Sequence, residues 1–194
     1  MSPLELSANV FNLLSVWFSA RNNVHTWWSG IVGCTLYGVM FADVRLYADV
    51  TLQAFFVASC VVGWWNWQRG ASRAEDARLP ITRVASKPAA GLAVVALLAA
   101  ACYGWLLHAL TDAASPFVDS AVLALSILAQ LLMVARKIET WPVWFVVDCI
   151  AVPLYASKGL WLTAAVYAFF LVLVVIGWVR WSRLIGRAGA GASA

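Results

Sequence analysis

The sequence predicts an all-α membrane protein of seven transmembrane helices, arranged as two parallel three-helix repeats joined by a linker helix. Three observations predict it. The first is composition: the 194 residues are 63% hydrophobic and only 11% charged, with a mean hydropathy of +0.83, whereas a soluble domain carries roughly 25% charged residues. The second is the run of apolar segments separated by short polar connections. The third is internal duplication, because Leu46–Trp67 realigns on Leu160–Trp181 at a constant offset of about 114 residues. Leu46, Ala54, Phe55, Phe56, Val61, Gly63, Trp64 and Trp67 each meet an identical residue in that register, and Thr26-Trp27 meets Thr140-Trp141.

The spans read in order as Leu4–Ala20, Thr26–Phe41, Leu46–Trp67, Pro88–Leu110, Ser120–Ala135, Thr140–Tyr155 and Leu160–Trp181. Several fall short of the ~20 residues of a straight crossing, and Trp and Tyr at their ends extend them into the interfaces. The organisation is then a first repeat over 4–67, a basic loop over 68–87, a linker helix over 88–110 and a second repeat over 120–181. The Gly/Ala-rich tail over 182–194 is expected to be disordered. An odd linker lets two three-helix units insert in the same orientation, so the repeats are parallel, with a substrate site expected where such halves face each other near the midplane.

Charge sets the expected topology. All Lys and Arg residues except Arg45 and Lys158 fall on one side of a seven-span chain. The positive-inside rule places that side, with the C-terminus, in the cytoplasm and the N-terminus outside. There is no basic n-region or small-residue cleavage site of a signal peptide. Cys34, Cys60, Cys102 and Cys149 lie inside apolar segments without zinc or redox spacing, so they read as buried small hydrophobes. No metal or cofactor is expected, and no nucleic acid, since the basic residues are topology signals. There is neither a phosphate-binding loop nor a nucleophile–base constellation, which argues against an enzyme.

The chemistry concentrates on the sixth span. Trp141, Trp144 and Asp148 sit at i, i+3 and i+7 and share one helix face. Two indoles and a carboxylate on one face suit a flat, cationic aromatic ligand. The plainer alternative is an interfacial Trp belt. A mid-span carboxylate, however, costs ~2.5–3.5 kcal/mol on insertion scales and needs a reason. The third span carries Asp49, Gln53 and Phe56 on one face, in register with Thr163, Tyr167 and Phe170. Gln53 and Tyr167 are pocket candidates; interhelical hydrogen bonding is the alternative, and the preferred one for Asp49. Asn12 falls in register with Ser126, with Gln130 one turn on; both are weaker binding candidates. Gly30, Gly33, Gly38, Gly63 and Gly177 allow close helix approach, and Pro153 is placed to kink the sixth span.

Three stretches carry a resemblance. They are Arg45-Leu46-Tyr47-Ala48-Asp49 running on to Gly63-Trp64-Trp65-Asn66-Trp67, then Glu139-Thr140-Trp141-Pro142-Val143-Trp144 with Asp148, then Tyr155 followed by Lys158-Gly159-Leu160 and Leu162-Thr163-Ala164. Over nearly its whole length the chain resembles the PnuC family of bacterial vitamin transporters, whose best known member moves nicotinamide riboside. The resemblance implies a SWEET-like fold, a homotrimer with one pathway per protomer, and residence in the bacterial inner membrane. It also implies facilitated diffusion, with a cytoplasmic ribosylnicotinamide kinase trapping the product. The family's Trp-x-x-Trp pair falls on Trp141 and Trp144, and its third-span glutamine on Gln53. The chain departs from some enterobacterial-type members, which look to carry asparagine at the positions of Asp148 and Gly33. Thiamine and riboflavin carriers share the fold, so a thiamine carrier is the competing expectation. A non-transporting membrane receptor or complex subunit is the alternative from another class; a duplicated three-helix unit argues against it.

Overall fold

The computed structural model describes residues 3–43, 47–71, 80–110, 115–157 and 161–191. Arg45, Leu46 and the Lys158–Leu160 segment lie outside them, as do the side chains of Asp49, Tyr155 and Thr163. Seven helices follow in order: α1 Pro3–Ala20, α2 His25–Asp43, α3 Tyr47–Ala71, α4 Ser86–Leu110, α5 Pro116–Val134, α6 Thr140–Ser157 and α7 Trp161–Gly191. Each coincides with one expected span. Three of them contain stretches long and apolar enough to cross a membrane by length and composition, Pro88–Leu110, Pro116–Val134 and Ala164–Arg187, and Thr140–Leu154 is a shorter apolar helix.

Several boundaries move outward, among them the start of α5 at Pro116 and the ends of α3 and α7. α3 continues to Ala71, and α7 continues to Gly191, past the point where disorder was expected. The reason for the second is visible in the side chains: Leu184 and Ile185 are half-buried, and the alanines that follow are the strongest helix formers.

The chain divides into two compact units. The first comprises Met1–Ile81, Val134–Arg136 and Ile176–Ala194, the second Thr82–Met133 and Lys137–Val175. In the first unit α1 packs on α2 and α2 on α3. Small residues bring these helices together. A Cβ on Gly63 would lie 2.4 Å from the Trp27 ring, and one on Gly33 would lie 2.7 Å from the Asn12 amide. Buried hydroxyls stitch the α1–α2 turn. Ser19 and Thr26 share a hydrogen bond of 2.6 Å, and Thr26 Oγ1 donates to the Ser15 carbonyl at 2.9 Å. Asn23 Oδ1 accepts from the His25 N–H at 2.9 Å and so starts α2.

At the same end of the first unit, four indole or guanidinium groups form one cluster. Trp27 meets Trp67 edge-on at 5.1 Å, and Trp67 lies 6.4 Å from Trp181. The Arg136 guanidinium stacks on Trp67 at 3.8 Å. Trp67 donates its indole N–H to the Val134 carbonyl at 3.3 Å, and Trp181 donates to the Ser19 carbonyl at 3.1 Å. Three of the largest fully buried side chains of the chain are these tryptophans.

In the second unit, Thr140 Oγ1 donates to the Ala129 carbonyl at 2.8 Å. Thr140 and Ala129 stand in repeat register with Thr26 and Ser15, so the duplication extends to single hydrogen bonds. The segment before α4 is pinned to the turn before α6. Ile138 N–H donates to the Thr82 carbonyl, Lys137 Nζ donates to Thr82 Oγ1, and the Val84 N–H donates to Glu139 Oε2. α4 shows Val95, Leu97, Leu98, Trp105 and Leu110 outward, each at least 60% exposed. An apolar surface so continuous is suited to lipid rather than water.

Candidate substrate-binding site

The residues singled out on α6 take three different environments. α6 starts at Thr140, whose N–H donates to the Lys137 carbonyl, and Pro142 falls in the first turn, where its missing N–H costs nothing. Trp141, at 1% exposure, is packed on every side. Trp144, one turn on, is half-buried and keeps part of its indole uncovered. Asp148, a further turn on, is 2% exposed, and among the described residues its carboxyl has no hydrogen-bond partner. Val147 and Ala151 beside it are fully buried. Pro153 lies inside the helix and cannot donate to the Cys149 carbonyl, which loosens the ladder one turn beyond Asp148.

The repeat register shows which of these features the fold requires. Trp141 corresponds to Trp27, which is also buried and packs on Trp67. An indole at this position is therefore part of the architecture in both repeats. Trp144 and Asp148 correspond instead to Gly30 and Cys34. A Cβ on Gly30 would already sit 3.1 Å from both Cys60 Sγ and Ser15 Oγ, so the first repeat is closed where the second carries a partly open indole.

The other candidates fall in their own units. In the second, Ser126 is buried and, among the described residues, its hydroxyl has no hydrogen-bond partner. Tyr167 is half-buried and meets Phe170 edge-on at 5.7 Å. In the first unit, Asn12 donates to the Ala8 carbonyl at 2.9 Å and its Oδ1 faces the Cys34 thiol at 3.9 Å. Gln53 is half-buried beside Gly38, and its side-chain amide has no partner among the described residues. Sequence reasoning missed one polar pair here. Tyr37 donates its hydroxyl to Asn9 Oδ1 at 2.7 Å, while Asn9 Nδ2 donates to the Glu5 carbonyl. The signal was available, since Asn9 and Asn12 lie at i, i+3 on one face of α1.

Among the described residues no group of three His, Cys, Asp or Glu side chains is placed to hold a metal ion. In the second unit Asp148 and Ser126 are buried and, among the described residues, without hydrogen-bond partners, and the half-buried Trp144 lies one turn from Asp148 on α6.

A duplicated all-helical chain with apolar membrane-length helices and such a polar interior is a membrane transporter for a small solute, not an enzyme. The family described as nicotinamide mononucleotide transporter matches residues 2–183, and the chain belongs to that family. It is 26% identical over 215 residues to the nicotinamide riboside transporter PnuC of Escherichia coli K12, covering 99% of this chain and 90% of that one. It is 27% identical to the riboflavin/roseoflavin transporter RibM of Streptomyces davaonensis, over 91% of this chain and 83% of that one. The crystal structure of a vitamin B3 transporter PnuC superposes with a TM-score of 0.77 at 24% identity, covering 95% of this chain and 82% of that chain. The fold is therefore that of the vitamin B3 transporter.

Proposed function

We propose that the protein carries nicotinamide riboside across the bacterial inner membrane by facilitated diffusion. One observation carries the reading: the buried carboxyl of Asp148, without a hydrogen-bond partner among the described residues, lies one turn from the half-buried Trp144 indole. A pyridinium ring needs such a pair, an aromatic face for stacking and cation–π attraction and a carboxylate to answer the charge. Ser126 and Tyr167, in the same unit as Trp144 and Asp148, are assigned as further substrate contacts through hydrogen bonds. Trp141, one turn before Trp144 on α6, is assigned beside it. Relatives named as nicotinamide riboside transporters, aligned over nearly the full chain, support the same substrate.

Uptake of this kind needs no nucleotide-binding loop, and phosphorylation by a cytoplasmic kinase keeps the product inside. The excess of Lys and Arg on one side supports a periplasmic N-terminus and a cytoplasmic C-terminus. The family resemblance supports a homotrimer. Similarity to a riboflavin carrier gives the second reading. Its isoalloxazine ring is uncharged, and that leaves Asp148 without a cation to answer. Thiamine is cationic and competes on chemistry alone.

Proteoliposomes loaded with no kinase and no ion gradient test the reading. Nicotinamide riboside should equilibrate across the membrane, with thiamine and riboflavin competing poorly. Accumulation above the outside concentration on imposing a proton or sodium gradient would overturn facilitated diffusion. Faster entry of riboflavin or thiamine would overturn the substrate.

A further inference from the structure

The repeat register separates what the fold needs from what has been added to it. Trp67 and Trp181, Thr26 and Thr140, and Trp27 and Trp141 occur in both repeats. Two arginine–tryptophan stacks do not. The Arg21 guanidinium lies 4.3 Å over the Trp17 ring, and the Arg69 guanidinium lies 4.3 Å over the Trp65 ring. The register partners of Trp17, Arg21 and Trp65 are Leu131, Ala135 and Val179. Both stacks are on the outer surface: Trp17 is 37% and Trp65 56% exposed, and both arginines are exposed.

All four residues belong to the first unit and sit at one end of it. α1 and α3 run parallel on either side of α2, and the stacks close their C-terminal ends. The hydrogen bond from Trp181 to Ser19 brings the exposed Arg180 and Arg183 of α7 to the same end. The described acidic residues of this unit, Glu5 and Asp43, lie at the opposite ends of their helices. The result is a positive rim directly beside exposed indoles, and indoles settle at headgroup depth.

We propose that this rim is a binding site for anionic phospholipid, with the headgroup phosphate taken by Arg21. Stacking on an indole engages the flat face of a guanidinium, so the in-plane N–H fork of Arg21 is left to grip phosphate in bidentate fashion. Arg69 adds the second charge, and Trp17 and Trp65 hold both at the depth of the phosphate layer. The site is independent of which solute the protein carries.

Native mass spectrometry of the full-length protein in mild detergent, titrated with phosphatidylglycerol, tests this. Phosphatidylcholine and soluble glycerol 3-phosphate serve as comparators. The wild type should retain phosphatidylglycerol over phosphatidylcholine, and the double variant Arg21→Gln/Arg69→Gln should bind it about thirtyfold more weakly. Trp17→Leu/Trp65→Val guards against misfolding, because these are the residues the other repeat already carries. It should lower the preference severalfold with the charges intact. Unchanged phosphatidylglycerol binding in either double variant would overturn the site, as would equal retention of the two lipids. Displacement of phosphatidylglycerol by glycerol 3-phosphate at equal concentration would reassign the rim to free anions.

Discussion

Trp181 donates its indole N–H to the carbonyl oxygen of Ser19 at 3.1 Å, tying the last helix to the first. Its register partner Trp67 does the same to Val134, one residue from the register partner of Ser19. Each repeat thus ends in a tryptophan that holds the end of the other repeat's first helix. The Ser19 carbonyl also accepts the Asn22 N–H at 2.9 Å, so losing the indole leaves it satisfied. Trp181→Phe should therefore cost only about 1 kcal/mol, the worth of one net hydrogen bond. Trp181→Ala should cost about 3–5 kcal/mol, as a large ring is removed from full burial. Unfolding of the purified protein in detergent measures both, and equal losses would show that the hydrogen bond, not the packing, holds α7.

Two glycines should respond with opposite signs. Gly63→Ala forces a methyl group to within 2.4 Å of the Trp27 ring, which is itself buried against Trp67. Overpacking of this kind costs about 1–3 kcal/mol. A Cβ on Gly91 in α4 meets nothing within 4 Å. Gly91→Ala should be neutral or stabilising by up to about 1 kcal/mol through helix propensity. Paired melting curves check the contrast.

Arg136 is held in the left-handed region, with φ of 50°, in register with Asn22 at 52°. Both end their helices with the 6→1 bond of a Schellman turn, Asn23 N–H to Phe18 and Lys137 N–H to Leu132. Asparagine suits that backbone and arginine does not, yet Arg136 is also buried, and its Nε and Nη1 have no hydrogen-bond partner among the described residues. What the residue gains is the stack on Trp67, worth about 2 kcal/mol when desolvated. Arg136→Ala should destabilise more than Arg136→Gly, because alanine keeps the backbone strain and loses the stack. Burial lowers the guanidinium to about 10, so it stays charged at neutral pH and the ranking should be flat from about pH 6 to 9. Above about 10 the folded chain sheds this proton before the unfolded chain does. Its burial penalty then fades, and this group's contribution to stability rises with pH.

Much of this was legible in the sequence because it depended on local pattern. Hydropathy located all seven helices, and the repeat offset anticipated that Trp27 and Trp141 would be equivalent. The end of α7 was not legible, because Gly and Ala read as linker composition until Leu184 and Ile185 are seen to pack. Nor did spacing distinguish Trp141 from Trp144. Both lie on one face, and only tertiary cover makes the first an enclosed packing residue and the second a partly open one. The Tyr37–Asn9 pair escaped for the same reason, since contacts between helices are not encoded in the period of either.

Asp148 separates ligands by charge. In wild type a cationic nicotinamide riboside should bind more tightly than its uncharged reduced analogue. Asp148→Asn should narrow or abolish that preference while keeping the hydrogen-bonding shape. Competition binding with both ligands measures it, and a preference unchanged by the substitution would make Asp148 a structural group.

The most direct test of the account is the affinity of the purified protein for nicotinamide riboside in wild type and Trp144→Ala, read by titration calorimetry alongside a melting curve. A desolvated cation–π contact is worth about 2 kcal/mol or more, and 1.4 kcal/mol is tenfold. Binding should be about tenfold to a hundredfold weaker in Trp144→Ala, with a smaller loss in Trp144→Phe and a melting temperature near that of wild type. Wild-type affinity in a folded Trp144→Ala protein would contradict it.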